Sequence, residues 1–181
     1  MLLEQTDSLI LVIDIQEKLL RAVYNPAQIG KKAEIISGMS KLLDLPVIVT
    51  EQYPKGLGGT VDCVSKNLDE KPCVFEKTSF NAISEKDIAE AVRTSGKKQV
   101  IILGIETHIC VYQTAAALLD EGYKVTVAAD ACSSRSEKEH EFGLDRMKSL
   151  GAELKTTEMI LFELLKSSRH PKFKEIQSLI K

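Results

Sequence analysis

The chain lacks several features, and each shortage removes a class of function. Charge of one sign is missing: 24 lysines and arginines stand against 26 aspartates and glutamates, a formal net charge of −2. Such a chain exerts no general pull on nucleic acid or on an anionic membrane surface. No apolar run approaches the roughly 20 residues of a membrane-spanning helix. The opening stretch MLLEQTDSLI has no basic start and meets an acid at its fourth residue, so it does not read as a secretory signal. A cytoplasmic protein is the expectation. Cys63, Cys73, Cys110 and Cys132 contain no C-x-x-C pair, and scattered thiols without a secretory signal point to reduced side chains, not a disulfide framework. His108, His140 and His170 show no ligand spacing, so no metal and no cofactor are expected. The segment GLGGT at 56–60 is not a G-x-G-x-x-G motif, and no Walker A lysine motif exists, which leaves dinucleotide and nucleotide binding without support.

The remaining composition is that of an ordinary globular protein. With 181 residues, 44% hydrophobic and 28% charged, the chain suffices for one domain over 1–181 with a full core. Short apolar runs rich in β-branched residues alternate with stretches of helical periodicity. Strands are predicted at 8–14, 46–51, 73–77, 99–104, 124–130 and 152–157, the last shorter and less apolar, as an edge strand would be. Helices are predicted at 25–45, 84–98, 109–121, 136–150, 157–166 and 172–180. Ser84 with Asp87 forms a near capping box, and Ser136 with Glu139 forms an S-x-x-E box. This alternation implies right-handed βαβ crossovers and a single-domain, Rossmann-like three-layer sandwich around a six-stranded parallel sheet. The glycine-rich YPKGLGGT at 53–60 reads as a loop over a pocket.

In an open parallel sheet, ligands bind beyond the carboxyl ends of the strands, so the residues that end each strand matter most. The first strand ends in Asp14, followed by Gln16. The second ends in Thr50 and Glu51, followed by Gln52 and Tyr53. The third ends in Glu76 and Lys77, followed by Ser79 and Phe80. The fourth ends in Gly104, with Glu106, Thr107, His108 and Cys110 behind it, and the fifth ends in Asp130. Taken singly, Asp14 could be a helix cap, Lys77 a loop lysine, Cys110 a packed thiol and Asp130 a brace. Taken together, three of them form a hydrolytic set. Cys110 falls in the first turn of a helix, where N–H groups and the macrodipole favour an anion. Lys77 can hold a thiolate, and its charge is expected to lower the thiol pKa. Asp14 can take the thiol proton and return it to a leaving group.

With these residues in place, the sequence resembles the isochorismatase-like cysteine hydrolases, the superfamily of the nicotinamidases and N-carbamoylsarcosine amidase. The resemblance rests on Asp14 and Gln16 in LVIDIQEKL, Lys77 in FEKTSFNA, and Gly104, Thr107, Cys110 and Val111 in GIETHICV. AADACSSRS and TTEMILFELL resemble later family segments, and the whole is most similar to the isochorismatase domain-containing proteins. The resemblance implies an Asp14–Lys77–Cys110 triad acting on a small amide-type or ester substrate through a thioester. It implies a cis peptide from Ile105 to Glu106, with the N–H groups of Glu106 and Cys110 as an oxyanion hole. Gln16, Tyr53, Phe80, Thr107 and His108 become candidate substrate contacts, and a homo-oligomer, dimer or tetramer, is implied, with apolar faces at 159–165 and 173–180 as candidate interfaces. Nicotinamidases hold a metal with an aspartate and histidines after the second strand. This chain has TEQYPKGLGG there, so nicotinamide loses favour as a substrate. The competing readings are a receiver-like scaffold, which leaves Cys110 without a role, and a catalytically silent binding protein of the same fold.

Overall fold

A computed structural model describes residues 2–68 and 73–181. Six strands form one sheet: β1 (Ser8–Ile13), β2 (Val47–Gln52), β3 (Cys73–Lys77), β4 (Gln99–Ile105), β5 (Lys124–Ser133) and β6 (Glu153–Lys155). Their order is β3-β2-β1-β4-β5-β6, and every neighbouring pair is parallel. Among the described residues the helices are α1 (Glu17–Ala22), α2 (Pro26–Leu42), α3 (Pro54–Leu57), α4 (Asp62–Ser65), α5 (Lys86–Thr94), α6 (Tyr112–Asp120), α7 (Glu137–Ser149), α8 (Thr157–Leu165) and α9 (Phe173–Ser178). None is long and apolar enough to cross a membrane.

The central strands are apolar without interruption because both faces are covered. Alternate residues serve alternate layers. Ile10, Val12, Ile101 and Leu103 pack with Ile29, Ile36 and Met39 of α2 and Ile160 and Leu164 of α8. Leu9, Leu11, Ile13, Val100 and Ile102 pack with Ile88 and Val92 of α5, Leu118 of α6 and Met147 of α7. The sheet grows from β1 toward β3 on one side and from β4 toward β6 on the other. The order therefore reverses between β1 and β4, and a crevice opens beyond their carboxyl ends. Gly104 makes the close seam there possible: a Cβ at this position would lie 2.2 Å from the carbonyl oxygen of Ile13.

Several boundaries differ from the sequence reading. Ser84 does not cap α5. It ends a 3-10 turn over Ala82–Ser84, and Glu85 holds the cap position. The Glu85 carboxylate instead accepts the N–H groups of Thr78 and Ser79 at 3.1 and 3.0 Å. The helix expected from 109 begins as a π turn over Thr107–Val111 and becomes α-helical only at Tyr112. β5 continues past Asp130 to Ser133, with a register irregularity against β4 between Ile102 and Gly104. Ser136 does cap α7, accepting the N–H of Glu139. β6 is an edge strand, as its composition suggested, and β3 is the other edge. The 53–60 segment is more ordered than a plain loop: it carries α3, and Thr60 pairs with Gln16 as an isolated bridge.

Candidate active site

The crevice between β1 and β4 collects the polar residues that end the strands. Asp14 follows β1 in a left-handed backbone conformation, φ 52°, which aspartate tolerates better than most residues. Its backbone is fixed by bonds from its N–H to the Thr50 carbonyl and from Gln16 N–H to its own carbonyl. Its carboxylate is fully buried and must therefore be matched. One oxygen accepts the Thr50 hydroxyl at 2.7 Å, and the other meets Lys77 Nζ at 2.7 Å. Lys77 arrives from the adjacent side of the sheet as the last residue of β3, 3% exposed. Its ammonium also donates to Gln52 Oε1 at 2.6 Å and to the Ser79 carbonyl at 3.1 Å, and it lies 3.6 Å from Cys110 Sγ. Cys110 projects from the π turn after β4 and is 7% exposed. The Ile105–Glu106 peptide that leads into this turn is cis. Asp14, Lys77 and Cys110, which lie far apart in sequence, thus meet in one buried cluster.

The electrostatics differ from the expectation of a ready thiolate. Burial, followed by the negative charge of Asp14 and a hydrogen bond to it, pushes the Cys110 thiol up to about 12, and Lys77 only partly opposes this. The string showed a lysine and a helix start beside the cysteine, but not the depth at which the cysteine sits or that the lysine's charge is shared with a carboxylate. At neutral pH Cys110 is therefore a thiol.

The structure separates the proposed substrate contacts. Tyr53 and Phe80 are 59% and 55% exposed, so both are free at the surface. Gln16 and Thr107 are fully buried and committed within the protein. The Gln16 carboxamide accepts the Gln52 N–H at 2.7 Å and donates to the carbonyls of Gln52 and Gly58 at 3.0 and 2.6 Å, which makes it a brace for the 53–60 segment. The Thr107 hydroxyl is hydrogen bonded to His140 Nδ1 at 2.8 Å. His108 turns toward Ser134, 2.9 Å from Nδ1, and Glu139, 3.6 Å from Nε2. The Glu106 carboxylate accepts Arg135 Nε at 2.9 Å. Asp130 braces the start of α8 through the N–H and hydroxyl of Thr157 and pairs with Lys32 at 3.0 Å. Glu51 receives the N–H and hydroxyl of Thr60, both at 2.7 Å. Among the described residues no cluster of three His, Cys, Asp or Glu could hold a metal ion. A cleft of about 180 Å³ beside the cluster is lined by Tyr53, Pro54, Glu76, Lys77, Thr78 and Glu85.

Sequence reasoning placed Thr50 and Gln52 at the active edge but gave them no role, and the structure shows them holding Asp14 and Lys77 in place. A signal existed: the two are separated by one residue at the end of a buried strand, so they share a face, and that face is the one toward the crevice.

Comparison with known proteins agrees with this fold. Residues 8–159 match the Isochorismatase domain family. The chain is 40% identical over 178 residues to isochorismatase domain-containing protein 2 of Xenopus laevis, covering 98% of this chain and 85% of that protein. Among solved structures, the MAR1 ribonuclease of Caenorhabditis elegans superposes with a TM-score of 0.94 at 38% identity, covering 99% and 92% of the two chains. YcaC of Pseudomonas aeruginosa, solved with hexane-2,5-diol and covalent acrylamide, gives 0.92 at 27% identity, covering 98% and 91%. YcaC of Escherichia coli, described as an octameric hydrolase of unknown specificity, gives 0.88 at 27%, covering 99% and 94%. With the matched domain spanning the whole sheet and a relative 40% identical across 98% of this chain, the chain belongs to the isochorismatase family.

Proposed function

We propose that this protein is a cysteine hydrolase of small amides or esters, with Cys110 as nucleophile, Asp14 as general base and acid, and Lys77 as the cation beside sulfur. The observation that carries this reading is the buried three-way contact, with Lys77 Nζ 2.7 Å from Asp14 and 3.6 Å from Cys110 Sγ. Because the resting thiol is protonated, the nucleophile forms only as it attacks. Asp14 takes the thiol proton while Sγ bonds to the substrate carbonyl carbon, and the carbonyl electron pair moves to oxygen. The N–H groups of Glu106 and Cys110 are assigned to that oxyanion. As the oxyanion collapses, the C–N or C–O bond breaks, and the Asp14 carboxyl returns its proton to the departing amine, ammonia or alcohol. Water, deprotonated by Asp14, then attacks the thioester. The C–S bond breaks, the acid leaves and sulfur regains its proton. Lys77 holds the sulfur anion at both stages, and proton transfer by Asp14 contributes about 10²–10⁴-fold. Tyr53 and Phe80 are the candidate rim contacts for the substrate.

Covalent acrylamide on a relative of this fold supports a reactive nucleophile. A homo-oligomer is part of the reading, supported by the octameric E. coli relative. So is a reducing, cytoplasmic setting, supported by four free cysteines. The C. elegans relative described as a ribonuclease sets the rival substrate class. The net charge of −2 and the absence of a free cation in the Asp14–Lys77 pair argue for an uncharged small molecule.

The test is a panel of small amides and esters assayed for released amine or alcohol, with intact-mass detection of an acyl-enzyme and an RNA substrate run in parallel. Turnover and a mass adduct lost in Cys110→Ala support the proposal. RNA cleavage that survives Cys110→Ala, with no adduct from any amide or ester, sinks it. A wild-type protein inert to the whole panel points to the catalytically silent binding protein instead.

A further inference from the structure

The π turn that carries Cys110 is gripped from outside by one face of α7. Residues 139, 140 and 143 share that face and each meets the turn. Glu139 lies 3.6 Å from His108, and His140 bonds to the Thr107 hydroxyl. Gly143 lets the two backbones touch: a Cβ there would lie 2.9 Å from His108 N and 3.0 Å from the Thr107 carbonyl carbon. Within the turn, the Val111 N–H reaches the Glu106 carbonyl at 3.2 Å, and the Tyr112 N–H reaches the Thr107 carbonyl. These are wide i to i+5 bonds, looser than those of an α-helix, and such turns concentrate at functional sites. Thr107 is thus the anchor of the turn. Its carbonyl holds the start of α6, its hydroxyl holds α7, and Cys110 lies between.

We infer that His140 is a positioning residue for Cys110, acting through Thr107 to fix the sulfur opposite Asp14 and Lys77. The inference rests on the nucleophile reading above and adds to it a residue that never touches the reacting atoms. His140 is buried, with its ring 5.9 Å from that of Tyr24. Burial holds its pKa below the usual histidine value, with Glu137 opposing, so the ring is neutral at neutral pH and bonds the hydroxyl as a neutral partner. The hydrogen bond to Thr107 is the polar contact the ring makes, and an apolar side chain in its place would remove that bond.

The experiment is residue-resolved alkylation by iodoacetamide, which needs no substrate, on wild type, His140→Leu, His140→Asn, Thr107→Val and the His140→Leu/Thr107→Val double variant, with melting temperature as the folding control. The leucine and valine variants should each slow Cys110 by about tenfold or more while Cys63 and Cys73 stay within roughly twofold, the response expected when a reacting atom is misplaced by a fraction of an ångström. The double variant should be no slower than either single one, because both remove the same bond. His140→Asn, whose amide reaches the position of Nδ1, should recover most of the rate. If His140→Leu alkylates like wild type, the inference fails and the nucleophile reading stands. The inference also fails if the two single effects multiply in the double variant, or if asparagine is no better than leucine. If wild-type Cys110 reacts no faster than the buried Cys132, both fail together.

Discussion

Among the described residues two lysines are buried, and the proposed chemistry uses only one of them. Lys77 and Lys155 are 3% and 6% exposed; Lys77 meets one carboxylate at short range and Lys155 meets two. Lys155 sits on the edge strand β6 between Glu163 at 2.6 Å and Glu153 at 2.9 Å. Burial alone would lower the pKa of its ammonium, but the bonds and charges of the two glutamates outweigh that, and the net shift is upward. The carboxylate partners of Lys155 lie on β6 itself and on α8, so the cluster ties strand to helix, and Glu163 also accepts the Leu3 N–H. Lys77 has one carboxylate, a neutral amide and a carbonyl as partners, with a protonated thiol as its fourth neighbour. That thiol can give up its proton to the carboxylate and be held by the ammonium. A buried ion pair is weak evidence of function or of stability. What sets the Lys77 pair apart is its contact with a neutral group that can ionise, and the proposed mechanism rests on that contact.

Removing the thiol makes the Lys77 cluster resemble the Lys155 cluster, and it is the largest effect expected here. Cys110→Ala should lower hydrolysis by about 10⁴-fold or more while the protein melts as a folded domain, since a small side chain is replaced by a smaller one and the ion pair is untouched. Steady-state rates with circular dichroism check both halves. Activity surviving within roughly tenfold would remove the distinction drawn between the two lysines.

Deleting each lysine sharpens the comparison. Lys77→Met leaves the Asp14 carboxylate fully buried without a cation, which costs about 3–5 kcal/mol and removes activity as well. Lys155→Met leaves Glu163 and Glu153 with side chains 15% and 36% exposed. Water can reach these, so the cost is about 1–3 kcal/mol and activity is retained. Denaturant unfolding of the two variants side by side decides this, and equal losses would show that the burial of Asp14 has been overstated.

A third test concerns the protonation state that distinguishes the clusters. With the thiol pushed up to about 12, the Cys110 thiolate is a minor form throughout the neutral range. Its alkylation should rise about tenfold per pH unit from roughly pH 7 to 9, with no plateau. A plateau below about pH 8 would mean that a stable thiolate exists at rest.

The sequence revealed the ends of strands better than the directions of side chains. Asp14, Lys77 and Cys110 could be named from the string because a parallel sheet delivers all its carboxyl ends to one edge. Alternation of strand and helix therefore fixes which residues assemble there. Gln16 and Thr107 lie at that same edge, yet their side chains point inward, to Gln52 and Gly58 and to His140. Position along a strand tells where a residue stands, but not which long-range partner claims it. The Thr107–His140 bond joins residues 33 apart, and no local pattern marks such a bond. The state of the thiol was misread for a related reason. A nearby positive charge is visible in a sequence, whereas desolvation, the larger influence here, belongs to the packed interior.

The smallest effect expected unites the two clusters instead of dividing them. Cys110 and Cys132 both have thiols raised to about 12, Cys132 chiefly by complete burial, and the Lys155 ammonium is raised as well. All three groups hold their proton more firmly in the folded chain than in the unfolded one. Linkage then fixes the sign: their contribution is complete below the ordinary values of 9.0 for the thiols and 10.5 for the ammonium, and it declines as pH rises through the folded values. Stability should therefore fall above about pH 9 even though the carboxylates are unchanged there. Cys132→Ala should flatten the thiol part of that decline, and Lys155→Met the later part, each at a lower starting stability. Urea midpoints measured across this range separate the two contributions. A decline of the same steepness in wild type and in Cys132→Ala would show that the buried thiol of β5 does not hold its proton as its burial requires.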